Sequence, residues 1–104
     1  MLYIEKKEQF QKLLEENQFV FVDFFAEWCG PCKMMSPIVE QFDEEIRSSV
    51  KVCKIDVDKN QDLAQAYRIT SIPTLMLFKD GKVVDAQVGY RSLQNLHEMV
   101  EKQK

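Results

Sequence analysis

Phe19-Val20-Phe21-Val22-Asp23-Phe24-Phe25 leads, by way of Ala26-Glu27, into Trp28-Cys29-Gly30-Pro31-Cys32-Lys33. The first run is apolar at every position but one, the pattern of a strand covered on both faces. Beyond the cysteines the period changes: Met35, Ile38, Val39, Phe42 and Ile46 fall on one face of a helix. A buried strand therefore hands over to a helix here, and Cys29 and Cys32 sit at the handover. N–H groups in the first turn of a helix are unpaired, and the helix dipole favours negative charge there. A cysteine at that point loses its proton more readily, and the thiolate is the reactive form. A second thiol one turn away can close a disulfide with it, so the pair has the makings of a two-electron redox couple.

The remaining pattern surrounds this unit with more of the same kind. Leu2 to Ile4 reads as a short edge strand, and Lys6 to Glu16, with Phe10, Leu13 and Leu14, as an amphipathic helix. Pro37 lies inside the helix that the cysteines open and is expected to kink it. Val50 to Val57 is a second apolar strand, and Asn60 to Tyr67 a short helix with Leu63, Ala66 and Tyr67 turned inward. Thr74 to Lys79 and Lys82 to Val88 flank Asp80-Gly81, a strong hairpin signal. Ser92 suits the N-cap of a last helix carrying Leu93, Leu96, Met99 and Val100. Alternation of strand and helix in the first half implies parallel pairing with right-handed crossovers, and the hairpin adds antiparallel strands. The expected fold class is α/β: a mixed central sheet of five strands flanked by four helices on both faces, with residues 1–104 forming a single domain.

Composition excludes several alternatives. Fourteen basic against seventeen acidic residues give a net charge of −3, without the clustered basic patch that nucleic acid requires. Mixed charge runs such as Glu5-Lys6-Lys7-Glu8 are solvated helix faces. No apolar stretch is long enough to span a membrane, and the N-terminus lacks a signal-peptide pattern. Three cysteines are an odd number and do not suggest a stapled secreted scaffold, so a reducing, cytoplasmic setting is expected. Three cysteines and one histidine, with no second Cys-x-x-Cys and with Pro31 between the pair at a helix start, fit redox work better than a structural zinc site. Asp23 is the exception in its apolar strand: a carboxyl there is costly unless satisfied, and burial raises its pKa. Lys54 stands in a similar strand, either turned toward the interior or snorkelling from an edge. Cys53, in the same strand, reads as a small buried hydrophobe, and the single His97 as solvent-facing.

In this order of motifs the whole chain resembles the thioredoxin family. The residues concerned are Asp23 to Lys33, Lys54, Tyr67-Arg68-Ile69-Thr70-Ser71-Ile72-Pro73-Thr74, Phe78-Lys79-Asp80-Gly81-Lys82 and Val88-Gly89. The resemblance implies a thiol–disulfide oxidoreductase that reduces protein disulfides. In it Cys29 is the exposed nucleophile and Cys32 the resolving thiol, so that each turnover leaves a Cys29–Cys32 disulfide. Asp23 would assist proton transfer at Cys32, Lys54 would tune Asp23, and Gly30-Pro31 would set the redox potential. The resemblance also implies a cis Pro73 beside the disulfide, and a substrate groove of Trp28, Gly30, Pro31, Val57, Ile72, Pro73, Val88 and Gly89. It implies a monomer with no bound cofactor, recharged by an NADPH-dependent flavoprotein thioredoxin reductase and acting in electron transport and cell redox homeostasis. An oxidising or isomerising member of the same fold, or a redox-assisted binding module, is the alternative. Tyr90 departs from the pattern, since the family often has a small residue there.

Overall fold

The computed structural model describes residues 1–104. Its elements run β1 (Leu2–Tyr3), α1 (Lys7–Glu16), β2 (Phe19–Phe25), α2 (Gly30–Ile46), β3 (Lys51–Asp56), α3 (Gln61–Ala66), β4 (Thr74–Lys79), β5 (Lys82–Val88) and α4 (Leu93–Glu101). They form one five-stranded sheet in the order β1-β3-β2-β4-β5. β3 is parallel to both β1 and β2, whereas β4 is antiparallel to β2 and to β5. The expected mixed sheet with four flanking helices is present, and the expected strands and helices differ from the observed ones by about one residue at their ends.

The strand order explains where the helices lie. From β1 the chain crosses past β3 to reach β2, then turns back to β3, so two successive crossovers run in opposite directions. Crossovers of one hand then place α1 and α2 on opposite faces. The packing agrees. Phe21, Leu75 and Leu77 meet Met35, Val39 and Phe42 of α2 and Leu96 and Val100 of α4 in one core. Val20, Val22, Phe24 and Ile55 meet Phe10 of α1 and Leu63 of α3 in the other. β2 contributes to both because alternate side chains point to opposite faces.

Local chemistry sets the element ends. Asp80 and Gly81 both have positive φ, 53° and 80°, as a two-residue I′ turn requires. Ser92 caps α4 by accepting from the Asn95 N–H, while Asn95 returns the bond to the Ser92 N–H. α2 continues through Pro37 to Ile46. α3 closes on Arg68 in the left-handed region, with Arg68 N–H on the Gln65 carbonyl and Ile69 N–H on that of Ala64.

Two expectations change. The inward face of α3 is Asn60, Leu63, Ala64 and half-buried Tyr67, and Ala66 is exposed; spacing of three and four selects Ala64, which the apolar pattern alone did not separate from Ala66. His97 is half-buried. Its ring meets Phe42 edge-on at 5.0 Å, and Nε2 lies 2.7 Å from Glu45 Oε1, a contact that holds the Glu45 carboxyl below its usual pKa.

Phe21 is fully buried and meets Phe42 edge-to-face at 4.9 Å. Phe21→Ala is expected to destabilise the fold by about 3–5 kcal/mol in denaturant melts. A loss below about 1 kcal/mol would mean that the core closes over the deletion.

Candidate active site

The disulfide is delivered by the carboxyl end of β2. Cys29 N–H closes a turn on the Ala26 carbonyl at 3.2 Å. Cys29 then takes the N-cap of α2 with extended backbone, and its Sγ accepts from the Cys32 N–H at 3.2 Å. An oxygen normally fills that role; here a sulfur does. Cys29 and Cys32 are joined in a disulfide with Cα atoms 5.3 Å apart, within the usual range. When the bond opens, the same N–H and the helix dipole favour negative charge on Cys29.

The expected difference in access is absent from this closed state. Cys29 is 4% and Cys32 3% exposed. Phe25, Val57 and Ile72 pack round both cysteines and Ala26, and the Ile72 carbonyl oxygen lies 3.9 Å from Cys29 Sγ. The first turn of the helix is open, but its flanking loops cover the sulfur.

Asp23 is fully buried. It shares strand parity with Phe21, so it points beneath α2. Neither carboxylate oxygen has a hydrogen-bond partner. Burial pushes its pKa up from 3.8 to about 6, against the attraction of Lys54, which lowers it. Lys54 is directly opposite in the β2–β3 register, yet its ammonium goes elsewhere. Nζ donates to Ser36 Oγ at 3.0 Å and lies 4.5 Å from the centre of the Phe25 ring and 5.5 Å from that of Tyr3. Lys54 is 4% exposed, so it does not snorkel. A cleft of about 270 Å³ opens at this point, lined by Phe25, Ala26, Glu27, Cys32, Lys33, Ser36 and Lys54. A larger hollow of about 790 Å³, lined mainly by polar residues of α1 and the Asp80-Gly81 turn, lies at the other end of the sheet.

Of the residues that the resemblance assigns to a groove, Val57 and Ile72 pack directly against the cysteines. The Ile72–Pro73 peptide is cis, as expected, and Pro73 is buried while Ile72 is half-buried. Gly89 N–H donates to the Pro73 carbonyl at 2.8 Å. Gly89 has φ 92°, and an added Cβ would meet only Arg91 at 3.8 Å; conformation, rather than space within the chain, is what demands glycine. A Cβ at Gly30 would touch nothing within 4 Å. Pro31, Val88 and Tyr90 are exposed, Val57 is half-buried, and Trp28 is 71% exposed.

Sequence reasoning missed two side chains. Asp58 Oδ2 accepts from the Trp28 indole at 2.8 Å and fixes the ring. The turn that carries Asp58 is built by Asp56 Oδ1, which accepts from the N–H groups of Asp58 and Lys59; an aspartate at a strand end is a recognisable turn signal. Ser36, which holds Lys54, follows Cys32 by one helical turn and carried no signal beyond that spacing. No group of three or more His, Cys, Asp or Glu side chains is arranged to hold a metal ion, and no helix is long and apolar enough to cross a membrane.

Cys53 has the opposite parity to Lys54 and faces the core under α1 and α3. Burial pushes its thiol far up, the Asp23 charge adds to this, and Lys51 works against it.

A sulfur pair that caps a helix, with donors ready for the charge released when it opens and an open apolar rim beside it, trades disulfides with other molecules. Fold and site define a thiol–disulfide oxidoreductase. The family model described as Thioredoxin matches residues 1–102. The chain is 49% identical to the thioredoxin of Bacillus subtilis over 83 residues, 80% of each chain. It is 52% identical to that of Pyropia yezoensis over 79 residues, 76% of this chain and 74% of the relative. A mutant thioredoxin from Halobacterium salinarum superposes with a TM-score of 0.91 at 40% identity, over 97% of this chain and 88% of the other. Plasmodium falciparum thioredoxin gives 0.91 at 33% identity over 100% of both. The chain belongs to the thioredoxin family, and its activity is protein-disulfide reduction by thiol–disulfide exchange.

The raised Asp23 pKa has a definite sign for stability. The folded chain holds this proton more tightly than the unfolded one, so stability falls as pH rises from 3.8 to about 6 and the penalty is full above that window. A shift of about two units corresponds to about 3 kcal/mol. Asp23→Ala is therefore expected to gain stability relative to the parent on going from about pH 4 to about pH 8, by up to about 3 kcal/mol in urea melts. A difference independent of pH would show that this carboxyl does not titrate there. Cys53 makes a second test: in the folded oxidised protein a thiol reagent should find no reactive group, and after unfolding it should find one. Rapid labelling before unfolding would show that the strand does not shield it.

Proposed function

We propose that Cys29 is the attacking thiolate and Cys32 the resolving thiol. The observation that carries this assignment is the cap: Sγ of Cys29, not of Cys32, receives a helix N–H. The Cys29 thiolate attacks one sulfur of a substrate disulfide, and the other substrate sulfur leaves as a thiolate that takes up a proton. Cys32 gives its proton to the Asp23 carboxylate and attacks Cys29 Sγ. The mixed disulfide breaks, the second substrate sulfur departs as a thiolate that takes up a proton, and two electrons have passed to the substrate. The burial of Asp23 beneath α2 and its pKa of about 6 suit it to this proton transfer. Lys54 tunes Asp23 through the attraction that lowers its pKa.

Substrate lies across Trp28, Gly30, Pro31, Val57, Ile72, Pro73, Val88 and Gly89. In support, Ile72 N–H makes no hydrogen bond within the chain, and an added main-chain partner there would recognise an extended segment independently of its sequence. The bare surface over Gly30 leaves room for close approach. Gly30-Pro31 sets the potential by shaping the first helical turn. Residues 1–104 act as one monomeric unit in the cytoplasm, in electron transport and redox homeostasis. The three glycines cannot build a glycine-rich nucleotide loop of the chain's own, so the electrons come from another protein; membership of the thioredoxin family supports an NADPH-dependent flavoprotein thioredoxin reductase as that partner.

In dithiol-driven reduction of insulin, Cys29→Ser is expected to fall to background, while Cys32→Ser accumulates mixed disulfides through Cys29. Free turnover by Cys29→Ser, or a Cys32→Ser variant that captures nothing, would reverse or remove the assigned roles.

A further inference from the structure

Cross-strand neighbours stand about 4.5–5.5 Å apart at Cβ, and Asp23 and Lys54 are such neighbours. Both are buried beneath α2. An ion pair is the ordinary outcome for opposite charges so placed, yet both carboxylate oxygens remain without a partner. The ammonium is held instead by Ser36 Oγ at 3.0 Å and by the faces of Phe25 and Tyr3. Of these three, only Ser36 supplies a hydrogen bond. It lies four residues after Cys32, so the same face of α2 carries the resolving sulfur and the anchor for the lysine.

We infer that Ser36 is a positioning residue for the redox cycle: its hydroxyl holds the Lys54 ammonium off the Asp23 carboxyl and so leaves that carboxyl free to exchange a proton.

An opposite charge brought into contact lowers a carboxyl pKa by about 1–3 units, which would leave Asp23 a weak base at neutral pH. The groups that face it are few. Lys54 comes from β3 and is the one charge that acts on it; Cys32, Lys33 and Ser36 of α2 line, with Glu27, the neighbouring cleft that Lys54 enters. β4 presents Leu75 opposite Asp23, Tyr3 of β1 lies against Lys54, and Cys53 is on the other face. Lys54 is the charge whose attraction lowers the Asp23 pKa, so its position is the variable that Ser36 controls. This inference rests on the reading of Asp23 as the proton acceptor.

The test is a titration of the Asp23 side-chain carbon by NMR in the reduced, aspartate-labelled protein. Ser36→Ala should lower the midpoint by about one pH unit, and Ser36→Thr, which keeps the hydroxyl, should leave it in place. With Lys54→Met as background, Ser36→Ala should change nothing. Ser36 is half-buried on a helix, and alanine is the best helix former, so the variant retains its fold. An unchanged midpoint in Ser36→Ala, or a drop that persists without Lys54, would overturn the inference. The pH profile of mixed-disulfide resolution in Asp23→Asn separates the two readings: a profile equal to the parent's would remove Asp23 as proton carrier, whatever the Ser36 titration finds.

Discussion

Full pairing of β2 is the constraint on which the site depends. It is hydrogen-bonded to β3 on one edge and β4 on the other, and apolar side chains cover both faces. A strand so enclosed has no freedom to shift, because a slip of one residue would turn its apolar set over. Its carboxyl end therefore places Cys29 firmly. The same pairing brings distant segments to that end. β3 runs parallel to β2, so Val57 emerges beside Phe25, and its N–H bonds the Phe25 carbonyl at 2.8 Å. β4 runs antiparallel, so Pro73 enters at the same edge, and β5 returns Val88 and Gly89 to meet it. The rim of the disulfide follows from one parallel and one antiparallel neighbour.

Within that frame, burial and charge attraction compete over Asp23. Two unit charges about 4 Å apart attract by about 4 kcal/mol in surroundings of intermediate polarity, enough to offset much of the cost of burying a carboxylate. The ammonium is engaged by Ser36, burial outweighs the attraction, and the carboxyl pKa rises to about 6. An acid tuned to that range exchanges protons efficiently in both directions. The fold thereby carries a destabilising group at the point where the proposed chemistry would use one, a common compromise at active sites.

What the sequence made legible was whatever repeats or sits at a boundary. Alternation and helical spacing located the elements, Asp80-Gly81 announced its turn, and Ser92 its cap. The cysteine pair at a strand-to-helix junction pointed to redox chemistry by physical argument, and the family resemblance added the cis Pro73. Side-chain partners across the fold were not legible. Trp28 finds Asp58 thirty residues away and Lys54 finds Ser36 eighteen away; no periodicity encodes such choices. The cover over Cys29 belongs to the same class, since Val57 and Ile72 reach it only through the sheet.

The third thiol shows how much rests on strand register. Cys53 and Lys54 are adjacent, yet one lies in the apolar core under α1 and α3 and the other beneath α2. A slip of one residue in β3 would exchange them. It would bury an ammonium against Val20, Val22 and Phe24 of β2, and bring a thiol to the side of the sheet that carries the disulfide. Several contacts oppose that slip. Leu2 and Tyr3 pair with Cys53 and Lys54, and Ile4 N–H bonds the Lys54 carbonyl at 2.9 Å. The Asn60 amide ties the Ile4 carbonyl to that of Asp56, and Asp56 Oδ1 builds the turn that ends the strand. The short edge strand β1 thus has a part in the chemistry without touching it: by pinning β3 it keeps Cys53 out of reach of the exchanging pair and sets Lys54 opposite Asp23.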